Sequence, residues 1–324
     1  MPLLYGEGEK RALTRLHREI RDLSGKTFSP TTNDRRLARD EWLQNLHQWL
    51  SPPDPSVNYQ KALAQRQQDT GLWLLDGEHY KNWKTSVASV LWLHGIPGCG
   101  KTILSSTILQ DLLHYHDSHP DNPVVYFYFD FNDVQKQNAE LMLCSLVLQL
   151  ARQVDDSYSR VNTFYSSHGG GTTQPSLSTL LEMMRRIMEQ SPPVYIMLDA
   201  LDECSHRDDL MRIIETVAGW GLQNMHLIVT SRCERDIESS LVDLVDPHNI
   251  ICLQSEVVDK DIQQYVRQRL SDDKGLNKWG RDVALRQEIE NALLKGSKGM
   301  YVFRIVDVSL RLTAVLGFDG LCAS

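Results

Sequence analysis

The chain has no Cys-x-x-Cys pair; its six cysteines (Cys99, Cys144, Cys204, Cys233, Cys252 and Cys322) are scattered. That spacing argues against a disulfide framework or a structural zinc site and fits a reducing compartment. Long apolar runs are missing too. Nothing approaches the ~20 residues that span a bilayer, and Arg304, Asp307 and Arg311 interrupt the best candidate. The opening Met-Pro-Leu-Leu-Tyr-Gly-Glu-Gly-Glu-Lys lacks the basic-then-apolar order of a secretory signal. Basic residues are in deficit: 34 Lys and Arg against 42 Asp and Glu leave a formal net charge of −8. That balance argues against a dominant nucleic-acid or anionic-membrane surface. No internal repeat is visible. These absences together predict a soluble, cytoplasmic protein with neither nucleic acid nor membrane among its partners.

Ordinary features remain. At 324 residues and 41% hydrophobic content, one large or two modest domains can each bury a core. Helical spacing predicts a helix over residues 7–23, a polar linker from Ser24 to Asp34, and a second helix over Arg36–Leu50 ended by Ser51-Pro52-Pro53-Asp54-Pro55. A short helix follows at Tyr59–Gln67. Beyond it, buried strands are expected at Val90–Leu93, Val124–Phe129, Val194–Leu198, His226–Thr230 and Ile250–Leu253. Helices alternate with them: one to about Tyr115, then Ala139–Arg152, the amphipathic stretch from Leu177 to Met188, and Leu210–Trp220. A loose segment ending in the surface loop Ser166–Gly171 lies between the second and third of these. Strands separated by helices mean βαβ units, a parallel sheet, and a ligand at the strand C-terminal ends. After Ser255 the pattern is all helical, with candidates at Lys260–Leu270, Asp282–Leu294 and Met300–Val315.

The sharpest motif is Gly95-Ile96-Pro97-Gly98-Cys99-Gly100-Lys101-Thr102. It fits G-x-x-x-x-G-K-[ST], stands directly after the Val90–Leu93 strand and opens a helix, the context that makes the pattern a phosphate site. Glycines let backbone N–H groups converge on phosphate oxygens, and the helix N-terminus adds its positive end. Gly95, Pro97, Gly98, Cys99, Gly100, Lys101 and Thr102 are therefore the predicted nucleotide-binding residues. Lys101 is expected at the β- and γ-phosphates and Thr102 at Mg²⁺.

A phosphate loop needs an acid for the magnesium shell and a group to orient water. Val194–Leu198 ends in Asp199-Ala200-Leu201-Asp202-Glu203. Asp199 is the predicted metal residue, and Asp202 or Glu203 the residue that polarises water. Thr230-Ser231-Arg232 follows another apolar strand, where Arg232 could face the γ-phosphate and stabilise transition-state charge. Asp202, Glu203 and Arg232 form the predicted catalytic set.

In that order, Gly-Ile-Pro-Gly-Cys-Gly-Lys-Thr, Asp-Ala-Leu-Asp-Glu-Cys and Thr-Ser-Arg resemble the NACHT class of STAND signalling NTPases. The nephrocystin-type module of filamentous fungi is nearest in appearance; the Thr70–Leu74 lead-in and the Tyr126–Phe131 strand also resemble it. Met1–Ile20 is similar to the last turn and helix of the fungal heterokaryon-incompatibility (HET) domain. The resemblance implies an α/β, three-layer P-loop NTPase with a mainly parallel sheet, short helices before it and a small helical lid after it. It implies these segments: 1–24, a HET-like tail helix; 25–57, a helical linker; 58–254, the NTPase domain; 255–324, a helical lid truncated before any winged helix. Mg²⁺-dependent binding and slow hydrolysis of ATP, in a switch for non-self recognition or programmed cell death, are what the resemblance implies. GTP stays open: Asn277-Lys278-Trp279-Gly280 lacks the Asp of the guanine-reading motif, but NACHT modules do not use that motif. Protein partners would be reached through the N-terminal and lid helices, and self-association stays open.

Two other functions compete. One is a non-hydrolysing nucleotide-binding module, or truncated decoy of a larger STAND protein, acting through residues 1–57. The other is a small-molecule kinase, for which no substrate pocket or arginine-rich lid is visible. Weaker features have plainer readings. Helix-terminal amides could lower the pKa of Cys99, against its use as a small loop filler. His114, His116 and His119 lack a carboxylate or cysteine to complete a metal set. Trp73, Tyr80 and Trp83 read as core rather than as a border to the base.

Overall fold

The computed structural model describes residues 32–67, 70–253 and 261. The predicted helix at 7–23 and all three lid helices therefore lie outside the described residues, apart from Asp261. The chain divides into two compact units, Met1–Gln44 and Asn45–Ser324. Of the first, the described part is the beginning of helix α1 (Thr32–Leu50).

The second unit holds the sheet. Helix α2 (Ser56–Gln65) is followed by two short helices, α3 (Leu72–Asp76) and α4 (Glu78–Thr85). The alternation then runs β1 (Ser89–His94), α5 (Lys101–Ser118), β2 (Val124–Tyr128), α6 (Ala139–Gln153), α7 (Ser157–Ser167) and α8 (Leu177–Met188). It closes with β3 (Val194–Asp199), α9 (Arg207–Ala218), β4 (Met225–Ser231), α10 (Arg235–Leu241) and β5 (Ile250–Cys252).

Among the described residues, the five strands lie in the order β2-β3-β4-β1-β5, and every pairing is parallel. All residues of β3 and β4 are buried, as a sheet covered on both faces requires. On one face, Leu91, Leu93, Tyr195, Met197 and Ile228 share a core with Leu104, Ile108, Leu109 and Leu112 of α5. The alternate residues Trp92, Ile196, Leu198 and Val229 are buried on the other side. There α6 packs on β2 and is joined by α8 and α9. The result is the expected α/β three-layer arrangement.

Chain direction places the site. From β1 the chain crosses to the far edge at β2, whereas from adjacent β4 it crosses the opposite way to β5. A ligand crevice is expected at the carboxyl ends where such neighbours diverge. The turns after β1, β3 and β4 all emerge at that edge.

One predicted loose segment is ordered differently. Residues Ser157–Ser167 form α7, despite a Ser-rich run of modest helix propensity. Packing supplies what propensity does not: Val161 is fully buried, α7 lies against α8, and Arg160 Nη1 donates to the Ile187 carbonyl at 2.7 Å. Of the three aromatic residues read as core, Tyr80 and Trp83 are, while Trp73 is half-buried against it. Trp83 and Tyr80 are buried, and the Trp83 indole donates to the Leu227 carbonyl at 3.0 Å.

Candidate functional site

The loop Gly95–Gly100 turns the chain from β1 into α5. Two left-handed positions make the turn, Gly98 (φ 76°) and Gly100 (φ 88°), the latter capping α5. A side chain at either would be strained, so glycine is required by backbone geometry. Pro97 is exposed at the apex. Lys101 Nζ curls inside the loop and donates to the Gly95 and Ile96 carbonyls at 2.9 and 3.1 Å.

Cys99 is fully buried, and burial pushes its thiol up from the ordinary range despite the nearby Lys101 charge. Of the two readings of this cysteine, lowering by helix-terminal amides gives way to the plainer one, because desolvation exceeds the amide and lysine contributions. Cys99 fills the loop.

Opposite the loop, Asp199 ends β3 and is 1% exposed. Its Oδ2 accepts from Thr102 Oγ1 at 2.8 Å, and its Oδ1 accepts from Ser105 Oγ at 2.5 Å and Thr230 Oγ1 at 2.7 Å. Burial raises the pKa of this carboxyl, while the three hydroxyls and Lys101 pull it back. Three donors converging on one carboxyl group favour the ionised, acceptor-only form. Ala200 follows in the left-handed region (φ 59°, ψ 53°), and its N–H donates to Thr230 Oγ1 at 2.9 Å. A non-glycine residue there stores backbone strain, least with a small side chain. The turn it makes aims Leu201–Glu203 along the carboxyl edge.

Asp202 and Glu203 part company at this turn. Both oxygens of Asp202 are engaged by Arg232: Oδ1 accepts the backbone N–H at 2.8 Å and Oδ2 the Nε at 2.9 Å. Its side chain is only 4% exposed, against 44% for Arg232. Glu203 instead accepts the Phe131 N–H on Oε2 at 3.0 Å. Its pKa is raised to about 6, chiefly by burial, with Asp202, Asp199 and Asp130 adding to the rise and the Phe131 N–H opposing it.

All the predicted site residues thus line one edge of the sheet. Sequence reading passed over Ser105 and Thr230. Ser105 stands one helical turn after Thr102, a spacing that puts both hydroxyls on one face of α5. Thr230 opens the Thr-Ser-Arg motif already noted for its arginine. Other candidates fall away from this edge. His116 Nδ1 lies 2.8 Å from the Asn122 carbonyl, and the His119 ring stacks on Tyr115. Among the described residues, no group of three or more His, Cys, Asp or Glu is placed to hold a metal. None of their helices is long and apolar enough to cross a membrane.

A parallel sheet whose first strand runs through a glycine loop into a helix, with that helix's first hydroxyl bonded to a buried carboxylate on another strand tip, defines a P-loop NTPase module of the nucleotide-binding kind. More narrowly, residues 69–232 match the family model described as nephrocystin 3, N-terminal, and the chain belongs to that family. It is 25% identical over 311 residues to the vegetative incompatibility protein HET-E-1 of Podospora anserina. That alignment takes in 94% of this chain but 21% of the relative, so the chain spans about a fifth of that protein's length. Among solved structures, it is similar to Drosophila ORC bound to DNA (16% identity, TM-score 0.39, covering 80% of this chain and 63% of that one). It is also similar to the replication initiator DnaA bound to AMPPCP and single-stranded DNA (12% identity, TM-score 0.36, covering 75% and 61%).

Proposed function

We propose that this chain is a Mg²⁺-dependent nucleoside triphosphatase that turns over slowly and serves as the switch module of a STAND-type signalling protein. The observation that carries the reading is the Thr102–Asp199 hydrogen bond, which joins the phosphate loop's helix to the tip of β3. A hydroxyl and one buried carboxylate are hard oxygen donors, and Mg²⁺ characteristically takes one or two carboxylates plus substrate phosphates. The donor set therefore fits that ion: Thr102 and Asp199 would hold it, and when bound it would neutralise charge on the β- and γ-phosphate oxygens.

The chain's own residues divide the remaining work. Backbone N–H groups of Gly98–Thr102 and the α5 N-terminus receive the phosphates. Lys101 leaves the loop carbonyls to reach them. Glu203 takes the role of orienting and deprotonating water: a carboxyl near pH 6 is mostly ionised at neutral pH yet still basic enough to accept a proton. Arg232 faces the γ-phosphate, with Asp202 holding its guanidinium rather than acting on water. ATP is the favoured substrate, and GTP is the alternative. The NTPase domain is assigned to residues 58–254, the lid to 255–324, and the output to partners that bind outside the described residues. The relative's role in vegetative incompatibility supports a place in non-self recognition.

Calorimetry with ATP, GTP and their diphosphates, with and without Mg²⁺, tests binding, and phosphate release tests turnover. The reading requires Mg²⁺-dependent triphosphate affinity and a phosphate release that Lys101→Ala abolishes. Tight binding without release, unchanged by Glu203→Gln, would instead identify a non-hydrolysing module. A phosphorylated small-molecule acceptor would identify a kinase.

A further inference from the structure

The Phe131 N–H that meets Glu203 comes from the connection between β2 and α6, a loop with no phosphate-binding motif. That loop is pinned at both ends. At its start, Asp130 accepts from Asn58 Nδ2 at 2.9 Å and from the Asn132 backbone N–H at 2.9 Å. Lys136 Nζ donates to Asn58 Oδ1, so α2 holds this side. At its end stands Gln137. Gln137 Nε2 donates to the Phe131 carbonyl at 2.8 Å, and Gln137 Oε1 accepts from Ser205 Oγ at 3.0 Å. Its backbone carbonyl accepts from the Ser205 N–H at 2.9 Å and from Cys204 Sγ at 3.2 Å.

One side chain therefore ties the residue that binds Glu203 to the turn that carries Glu203. We propose that Gln137 is a positioning residue for Glu203: its amide bolts the β2–α6 loop onto the acidic turn and so fixes the Phe131 N–H on Oε2. Resting on the proposed hydrolysis, this leaves Oε1 as the oxygen that receives a proton from water. Among the described residues no group is bonded to Oε1. A fixed donor on one oxygen limits the rotation of the carboxylate, and orientation of a base by a degree of freedom removed in advance is worth rate.

The geometry accounts for residues a purely structural role would leave idle. Phe131 is 66% exposed, so its ring contributes little burial; what the fold fixes there is the peptide on either side of it. The charged groups around Glu203 are Asp202 on its own turn, Asp199 on β3 and Asp130 on the β2 loop. All three push the Glu203 carboxyl toward its neutral form, and the Phe131 N–H opposes them.

The test follows the Phe131 amide by ¹H–¹⁵N NMR across pH 4.5–7.5 in the full chain without nucleotide, beside single-turnover and steady-state phosphate release. In the wild type the amide should titrate with the midpoint of Glu203, and Glu203→Gln should abolish the titration. Gln137→Ala should reduce its amplitude by at least half and lower kcat about tenfold with KM unchanged, a fraction of what a general base supplies. Gln137→Met keeps the side chain's length but cannot donate to the Phe131 carbonyl, and it adds no group that titrates in this window. It should behave like the alanine variant, and it answers the question should Gln137→Ala not fold. An amide that titrates with full amplitude in either folded variant overturns the positioning role. The amide readout does not depend on turnover: a chain that releases no phosphate refutes the proposed hydrolysis while the titration still decides the role of Gln137.

Discussion

Thr102 Oγ1 donates to Asp199 Oδ2 at 2.8 Å across 97 residues of sequence. The bond couples the first turn of α5 to the tip of β3, although β4 lies in the sheet between β3 and β1, the strand that leads into α5. Removing the hydroxyl should weaken the triphosphate only when magnesium is present. Thr102→Ala is expected to raise Kd for the Mg²⁺–triphosphate about tenfold or more, equivalent to about 1.4 kcal/mol. Affinity measured in EDTA should change little. Equal loss under both conditions would mean that Thr102 acts on the phosphate alone.

Two buried hydroxyls near this carboxylate should respond in opposite directions. Ser105 Oγ donates to Asp199 Oδ1 at 2.5 Å, so Ser105→Ala strips a donor from a buried carboxyl. Chemical denaturation should show a loss of about 1–3 kcal/mol. The Tyr128 hydroxyl, by contrast, is buried at the end of β2 without a hydrogen-bond partner among the described residues. Tyr128→Phe removes that unpaired group while keeping the ring, and should be neutral or stabilising by about 1 kcal/mol. A large loss in Tyr128→Phe would reveal a partner for its hydroxyl.

Arg232 is held by Asp202 through backbone and side chain together. Because the guanidinium is 44% exposed, the pair should add little to stability, at most about 1 kcal/mol. Its effect should fall on nucleotide discrimination instead. Arg232→Ala should reduce the preference for triphosphate over diphosphate several-fold, and Asp202→Asn should do so less. A double-mutant cycle on the two positions should show coupling, because each single change already disturbs the same contact. Additive effects would separate Asp202 from the arginine's function.

How far these relationships were legible in the sequence depended on whether they were local. The phosphate loop was readable because strand, glycines and helix stand within one short stretch, and Gly98 and Gly100 mark the left-handed turns themselves. Asp199 was readable because five apolar residues ending in an acid describe a buried strand tip. The division of labour between Asp202 and Glu203 was not. Adjacent acids look alike in one dimension, and only the left-handed turn at Ala200 sends one toward Arg232 and the other toward Phe131. The contribution of Gln137 depends on a loop after β2 meeting a turn after β3, a pairing set by strand order. Helix α7 was missed because the contacts that support it, its packing on α8 and the Arg160 bond to the Ile187 carbonyl, join segments distant in sequence.

Glu203 provides the pH test. Its pKa in the folded chain, about 6, lies above its ordinary 4.5 because the half-buried carboxylate loses hydration among Asp202, Asp199 and Asp130. The folded state therefore prefers the neutral acid. That preference stabilises the chain below about pH 4.5 and is lost as pH rises through about 6. Full conversion of the shift would give about 2 kcal/mol; solvent screening of a partly exposed group reduces this to about 1 kcal/mol. Glu203→Gln cannot ionise and still offers an oxygen to the Phe131 N–H. It should match the wild type in urea near pH 4.5 and exceed it by about 1 kcal/mol at pH 7.5. In the wild type, kcat/KM for phosphate release should fall as pH drops through about 6, since that profile reports the free enzyme's base. A stability difference that is flat with pH would place the Glu203 carboxylate in solvent, and the proton acceptor would then have to be sought elsewhere.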